Sequence, residues 1–177
     1  MRTGKSLIGM AVVGQTDGTQ LGHVRDLIFD HDTDQLLALV MDEKDLFGLI
    51  DAMIVPWEQV QSVGASVILA RSAQSKIKLG DDKVTSSAAH RETALSGTQI
   101  LTNQGKHLGT LADACIDETT GRVLGYEVSG GFVSDTLHGK KFLPAPPGLE
   151  VGKDAAIAPP EAAAQLKPQK ESKIISC

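Results

Sequence analysis

The sequence predicts an all-β protein: two tandem, small antiparallel β-barrels joined by a polar linker, with little helix. Three observations carry this expectation. Residues 17–41 (DGTQLGHVRDLIFDHDTDQLLALVM) return further on as residues 104–128 (QGKHLGTLADACIDETTGRVLGYEV). Setting Gly22 on Gly109 sets Asp26 on Asp113, Asp30 on Asp117 and Leu37 on Leu124, a shared offset of 87. Short apolar runs alternate with turn residues in both copies, and helical periodicity is almost absent. The expected boundaries are 5–72 for the first domain, 73–92 for the linker, 93–160 for the second domain and 161–177 for a flexible tail.

Each half opens on a short apolar run, residues 6–13 (SLIGMAVV) and 95–101 (LSGTQIL). Polar turns follow, QTDG and TNQG, where Gly18 and Gly105 supply backbone freedom. The central hairpin comes next. Residues 23–30 mix apolar and polar side chains, whereas residues 36–41 are apolar throughout, as suits a strand buried on both faces. The connecting turns are DHDTD and DETTG, and in the second Gly121 can take positive φ.

Residues 53–57 (MIVPW) and 141–144 (KFLP) set Pro56 on Pro144, and proline should close each strand because it cannot donate to a ladder. A helical turn at residues 57–60 and a final strand at 67–70 complete the first half, with residues 155–157 as the counterpart of that strand. Residues 76–79 form a candidate extra strand within the linker. A short helix is expected over EAAAQL, with disorder from Lys167 onward.

Composition narrows the function classes. Each half, of about 70 residues, would bury only ~60% of its unfolded surface and gain from mutual packing. The chain is 41% hydrophobic and 22% charged, with only 3% aromatic residues, so aliphatic side chains must fill the cores. Few aromatics and a net charge of −5 argue against a nucleic-acid partner, which calls for stacking faces and dense Lys/Arg. Lys167, Lys170 and Lys173 are interrupted by Glu171 and read as a solvated tail. Cys115 and Cys177 make no disulfide framework, and Cys115 is expected as a small core residue. No signal-peptide run opens the sequence and no membrane span is expected, so the expected location is cytoplasmic.

These residues resemble the PRC-barrel family. The carriers are LGHVRDLIFDHDTDQLLALVM, IVPWEQVQSVG and VILA in the first half, then HLGTLADACIDETTGRVLGYEV and FLPAPPGLEVG in the second. The second copy departs at Ala112 and in its proline-rich APPG. Relatives include the cytoplasmic domain of the photosynthetic reaction-centre H subunit and the C-terminal domain of a ribosome-maturation factor. The resemblance implies a barrel used as a protein-binding module, with no catalytic motif and no cofactor to carry over.

Candidate chemistry is sparse. Asp30, Asp32 and Asp34 alternate like the first ligands of a calcium loop, but Gln35 stands where glycine is required and Met41 where glutamate is required. The repeated acids Asp26 and Asp113 are expected to do a shared structural job, capping backbone or pairing with Arg25 or Arg122. Histidines 23, 31, 90, 107 and 138 show no zinc spacing and read as surface residues. Ser134, Asp135 and His138 lack a nucleophile elbow, and residues 130–141 lack Walker spacing.

The strongest pointer is a pair of equivalent loops. Residues 42–51 carry Leu46, Phe47, Leu49 and Ile50, and residues 129–141 carry Phe132, Val133 and Leu137. Leu46, Phe47, Leu49, Ile50, Phe132 and Leu137 are the candidate anchors for a protein partner. The expectation is a non-enzymatic adaptor without cofactor or metal, whose partner is another protein or a second copy. The rival is a small-ligand or metal-ion sensor using Asp26, Asp30, Asp32 and Asp34.

Overall fold

The computed structural model describes residues 1–30, 33–42, 52–81, 97–130, 141–152 and 154–168. After β1 (Arg2–Thr3), the first half comprises β2 (Ala11–Gly14), β3 (Gln20–Asp30), β4 (Gln35–Met41), β5 (Met53–Pro56), β6 (Val60–Val63), β7 (Val67–Ala70) and β8 (Ile77–Lys78). The second half comprises β9 (Gln99–Thr102), β10 (His107–Ile116), β11 (Val123–Ser129), β12 (Lys141–Pro144), β13 (Glu150–Val151), β14 (Ala155–Ala158), α1 (Ala162–Gln165) and β15 (Lys167–Pro168).

The two sheets share one topology. The first runs β6-β7-β2-β3-β4-β5-β8 and the second β13-β14-β9-β10-β11-β12-β15, with β1 added to β10. The repeat read from sequence is therefore a repeat of hydrogen-bonded register. Val24↔Met41, Asp26↔Val40 and Leu27↔Leu39 in the first half become Leu111↔Val128, Asp113↔Glu127 and Ala114↔Tyr126 in the second.

Two expectations are corrected. The sheets are not closed into barrels, since among the described residues β6 does not pair with β8, nor β13 with β15. Nor are they purely antiparallel. β7 runs parallel to β2, and β14 parallel to β9. The cause is the crossover after β5: a 3-10 turn at Trp57–Gln59 and the β6–β7 hairpin return the chain beside the first strand in the same direction.

Pro56 and Pro144 close β5 and β12 as expected. Ile77–Lys78, within the segment assigned to the linker, pairs with β5. Residues 162–168, assigned to the tail, hold α1 and β15, and β15 pairs with β12.

A single apolar cluster runs through both halves, from Leu7, Val12 and Leu39 to Ile100, Leu111 and Leu143. Two small units thereby share one interior, which offsets the poor surface-to-volume ratio of each. β4 is apolar on both faces for a reason. Leu36, Leu39 and Met41 face the shared core, while Ala38 and Val40 pack with Ile28, Ile54 and Ile77 on the opposite side.

Cys115 is fully buried in β10, as expected of a core residue, but it is also disulfide-bonded. No spacing rule announced that bond, because pairing depends on the folded chain. Cys177 lies outside the described residues.

Candidate functional site

The repeated aspartates sit at a β-bulge. In each half the ladder slips one residue just before the acid, between Val24 and Asp26 and between Leu111 and Asp113. A bulge leaves a backbone group out of register and needs a local partner. Asp26 Oδ1 accepts the Leu27 N–H at 2.8 Å, and Asp113 Oδ1 accepts the Ala114 N–H at 2.8 Å. Among the described residues neither acid forms an ion pair with Arg25 or Arg122.

The environments then diverge. Asp26 is exposed, whereas Asp113 is 8% exposed. The N-terminal arm accounts for this. β1 pairs with β10, and the Lys5 N–H donates to both Asp113 oxygens at 3.1 Å. Gly4 allows the close approach: a Cβ there would lie 3.0 Å from Asp113 Oδ1 and 3.1 Å from Leu27 Cδ1. Burial pushes the Asp113 carboxyl above its ordinary value. The neighbouring Glu127 adds to the rise, while the Lys5 and Ala114 amides and the Lys5 charge oppose it. Arg2 extends the clasp, donating to Glu118 Oε2 at 2.8 Å and to the Gly64 carbonyl across the two halves.

The two central turns meet each other at the seam. The Leu36 N–H donates to Gly121 O at 2.9 Å, and the Val123 N–H donates to Asp34 O at 2.8 Å. These bonds are equivalents under the offset of 87, and the Gln35·Arg122 bridge lies between them. Gly121 takes φ +74°, as its sequence position predicts, and Asp34 holds the matching place at φ +52°. Glycine is required at 121 for a second reason: a Cβ there would come within 2.4 Å of the Trp57 ring. Opposite, the Tyr126 hydroxyl donates to Asp34 Oδ1 at 3.5 Å, and burial followed by the Asp34 charge raises the phenol strongly.

Asp117 folds its own turn by accepting the Thr119 and Thr120 amides at 2.8 and 3.0 Å, which hold its carboxyl below the ordinary value. Asp17 does the same with Thr19 and Ala73 at 3.0 and 2.8 Å.

The acids proposed for a ligand fall at several places along the first hairpin. Asp26 stands mid-strand at the bulge, Asp30 ends β3, Asp34 reaches Tyr126 of the other half, and Asp32 lies outside the described residues. Among the described residues no three His, Cys, Asp or Glu side chains are grouped to hold a metal ion. Of the histidines, His23 is half-exposed with Nδ1 at 3.4 Å from Asp42 Oδ2, while His107 is partly buried with Nδ1 enclosed and without a hydrogen-bond partner among the described residues. His31, His90 and His138 lie outside the described residues, as do Ser134, Asp135 and all six apolar anchors, Leu46, Phe47, Leu49, Ile50, Phe132 and Leu137.

β4 and β11 start at the seam and run away from it for seven residues each, so Met41 and Ser129 end their strands roughly 20 Å from the turns.

What sequence reasoning missed is the seam itself: Trp57 over Gly121, and the arm over Asp113. The signal was faint but present, in a lone tryptophan after Pro56 and a glycine that the first turn lacks. No helix among the described residues is long and apolar enough to cross a membrane. No curated protein matches the chain. The family model of the PRC-barrel domain matches residues 1–84 and again residues 90–165, so the chain belongs to the PRC-barrel family and carries two copies of its domain.

Proposed function

We propose that this tandem PRC-barrel protein is a non-enzymatic adaptor that binds a protein partner through the equivalent loops of its two halves. The observation that carries the reading is the seam. Reciprocal backbone bonds and a shared core join the halves, while β4 and β11 run away from that joint toward the residues that precede the two loops in sequence. Leu46, Phe47, Leu49 and Ile50 on one loop, with Phe132 and Leu137 on the other, supply the apolar anchors from which interfaces draw most of their energy. The partner is a different protein or a second copy of this chain, met in the cytoplasm.

The test compares wild type with a Phe47→Asp, Leu49→Asp variant, by affinity capture from lysate of the source organism and by sedimentation of the purified proteins. A partner, or a dimer, held by wild type and lost by a variant of unchanged melting temperature supports the reading. Capture and association that are identical for both proteins refute it.

A further inference from the structure

Cys115 is disulfide-bonded and fully buried, yet it stands outside the shared apolar core to which its neighbours Ala114 and Ile116 belong. Register shows which face it occupies. Cys115 lies opposite Gly125 on β11, and Glu127, two residues further along that strand, lies opposite Phe142 on β12. These four residues share the outer face of the second sheet, because side chains alternate along a strand. All four are buried, and a Cβ at Gly125 would run into the Phe142 ring. In the first half the same register positions hold Ile28, Ala38, Val40 and Ile54, a purely aliphatic cluster. The second half has put a sulfur in that patch.

The chain has two cysteines, so within one chain the partner of Cys115 can only be Cys177. The distances allow it. β15 ends at Pro168 on the rim of the sheet, and the order β10-β11-β12-β15 sets it three strand spacings from β10, or ~14 Å. Nine positions separate Pro168 from Cys177, a reach of up to ~30 Å. Cys115 is flanked by Thr3 of β1 on one side and by Gly125 on the other, so its sulfur is approached over the face and not along an edge. A chain running from β15 to that sulfur therefore crosses β12 and β11.

We propose that a Cys115–Cys177 disulfide is a redox-operated latch, which draws residues 169–177 across the outer face over Phe142 and releases them on reduction. Disulfides persist in oxidising surroundings and are opened by thiol reductants, so the cover of this face follows redox state. Burial of Cys115 directs attack to the Cys177 sulfur. A thiolate of a dithiol bonds there, and Cys115 leaves as a thiolate and takes up a proton. The second thiol of the reductant then displaces Cys177, which is protonated in turn. The protein gains two electrons and two protons, and the dithiol becomes a cyclic disulfide.

The test treats the full chain with oxidised glutathione and then with dithiothreitol. After oxidation, peptide mapping without reductant is expected to find the Cys115 peptide linked to the Cys177 peptide in a monomer. Dithiothreitol should return two alkylatable thiols and lower the melting temperature by roughly 5–15 °C. Cys177→Ser should melt with the reduced wild type and ignore dithiothreitol. Its Cys115 should react with iodoacetamide in the folded state, because the face is then uncovered. Two free thiols after oxidation, or a dimer linked through Cys115, would overturn the latch. So would a melting temperature that reduction leaves unchanged, or an inert Cys115 in folded Cys177→Ser. None of these outcomes bears on the loops of the adaptor reading.

Discussion

The two halves carry the same strands in the same register and bury different things. Asp26 and Asp113 hold equivalent bulges with equivalent 2.8 Å bonds, but the arm seals only Asp113. Trp57 follows Pro56 and packs its ring over Gly121, while the residue after Pro144 is only Ala145. Backbone hydrogen bonding is thus set by the repeat, whereas the weight each position bears is set by what covers it. A repeat fixes architecture, and packing decides energetics.

The widest gap between the halves should appear at the tryptophan. Trp57→Ala is expected to cost about 3–5 kcal/mol by removing a buried ring at the joint, whereas Ala145→Gly should cost about 1 kcal/mol or less. Urea unfolding followed by circular dichroism measures both. Equal losses would mean that the indole does not hold the seam.

A smaller contrast lies in the aspartates. Asp113→Ala strips an acceptor from the buried Ala114 amide and the part-buried Lys5 amide and is expected to cost roughly 1–3 kcal/mol. Asp26→Ala, at an exposed site, should stay below about 1 kcal/mol. If the two substitutions cost the same, the arm contributes nothing to Asp113. Hydrogen exchange at the Lys5 amide should quicken in Asp113→Ala and remain unchanged in Asp26→Ala.

The smallest expected effect is in pH dependence. The Asp113 carboxyl is raised in the folded state, so the folded chain holds that proton more tightly than the unfolded chain does. Its contribution to stability is full below the unfolded value of 3.8 and is lost as pH rises through the folded value. Asp17 and Asp117 are lowered, so their contributions are present above 3.8 and fade as pH falls through their folded values. Melting curves from pH 3 upward should therefore show Asp113→Asn losing part of the decline above 3.8 that wild type shows. An unaltered slope would falsify the buried assignment.

The parts of the fold that were legible are those written in local chemistry. Glycine and aspartate at Gly22, Asp26, Gly109 and Asp113 mark turns and bulges that need those residues wherever they occur, so the repeat announced itself. Pro56 and Pro144 marked strand ends for the same reason. The contacts that stayed hidden join residues far apart in the chain: β1 on β10, Trp57 on Gly121, and the bond at Cys115. None of these leaves a spacing rule in the sequence, because each depends on the fold already being in place. Parallel pairing of β2 with β7 was hidden in the same way, since a short strand reads alike in either direction. The aspartates were legible as structural, but not their bulge. The loop anchors rest on apolar character alone, and they lie outside the described residues.

The reciprocal bonds around Gln35 and Arg122 make the seam an isologous contact, one patch meeting its own counterpart. In a dimer of identical chains, every residue of such a contact appears twice, and a change on one side is forced on the other. Covalent fusion removes that constraint. One copy of the turn keeps Gly121 beneath an indole while the other keeps Asp34 against a tyrosine. The tandem chain can therefore evolve two unlike flanks on a symmetric joint, a freedom closed to any homodimer.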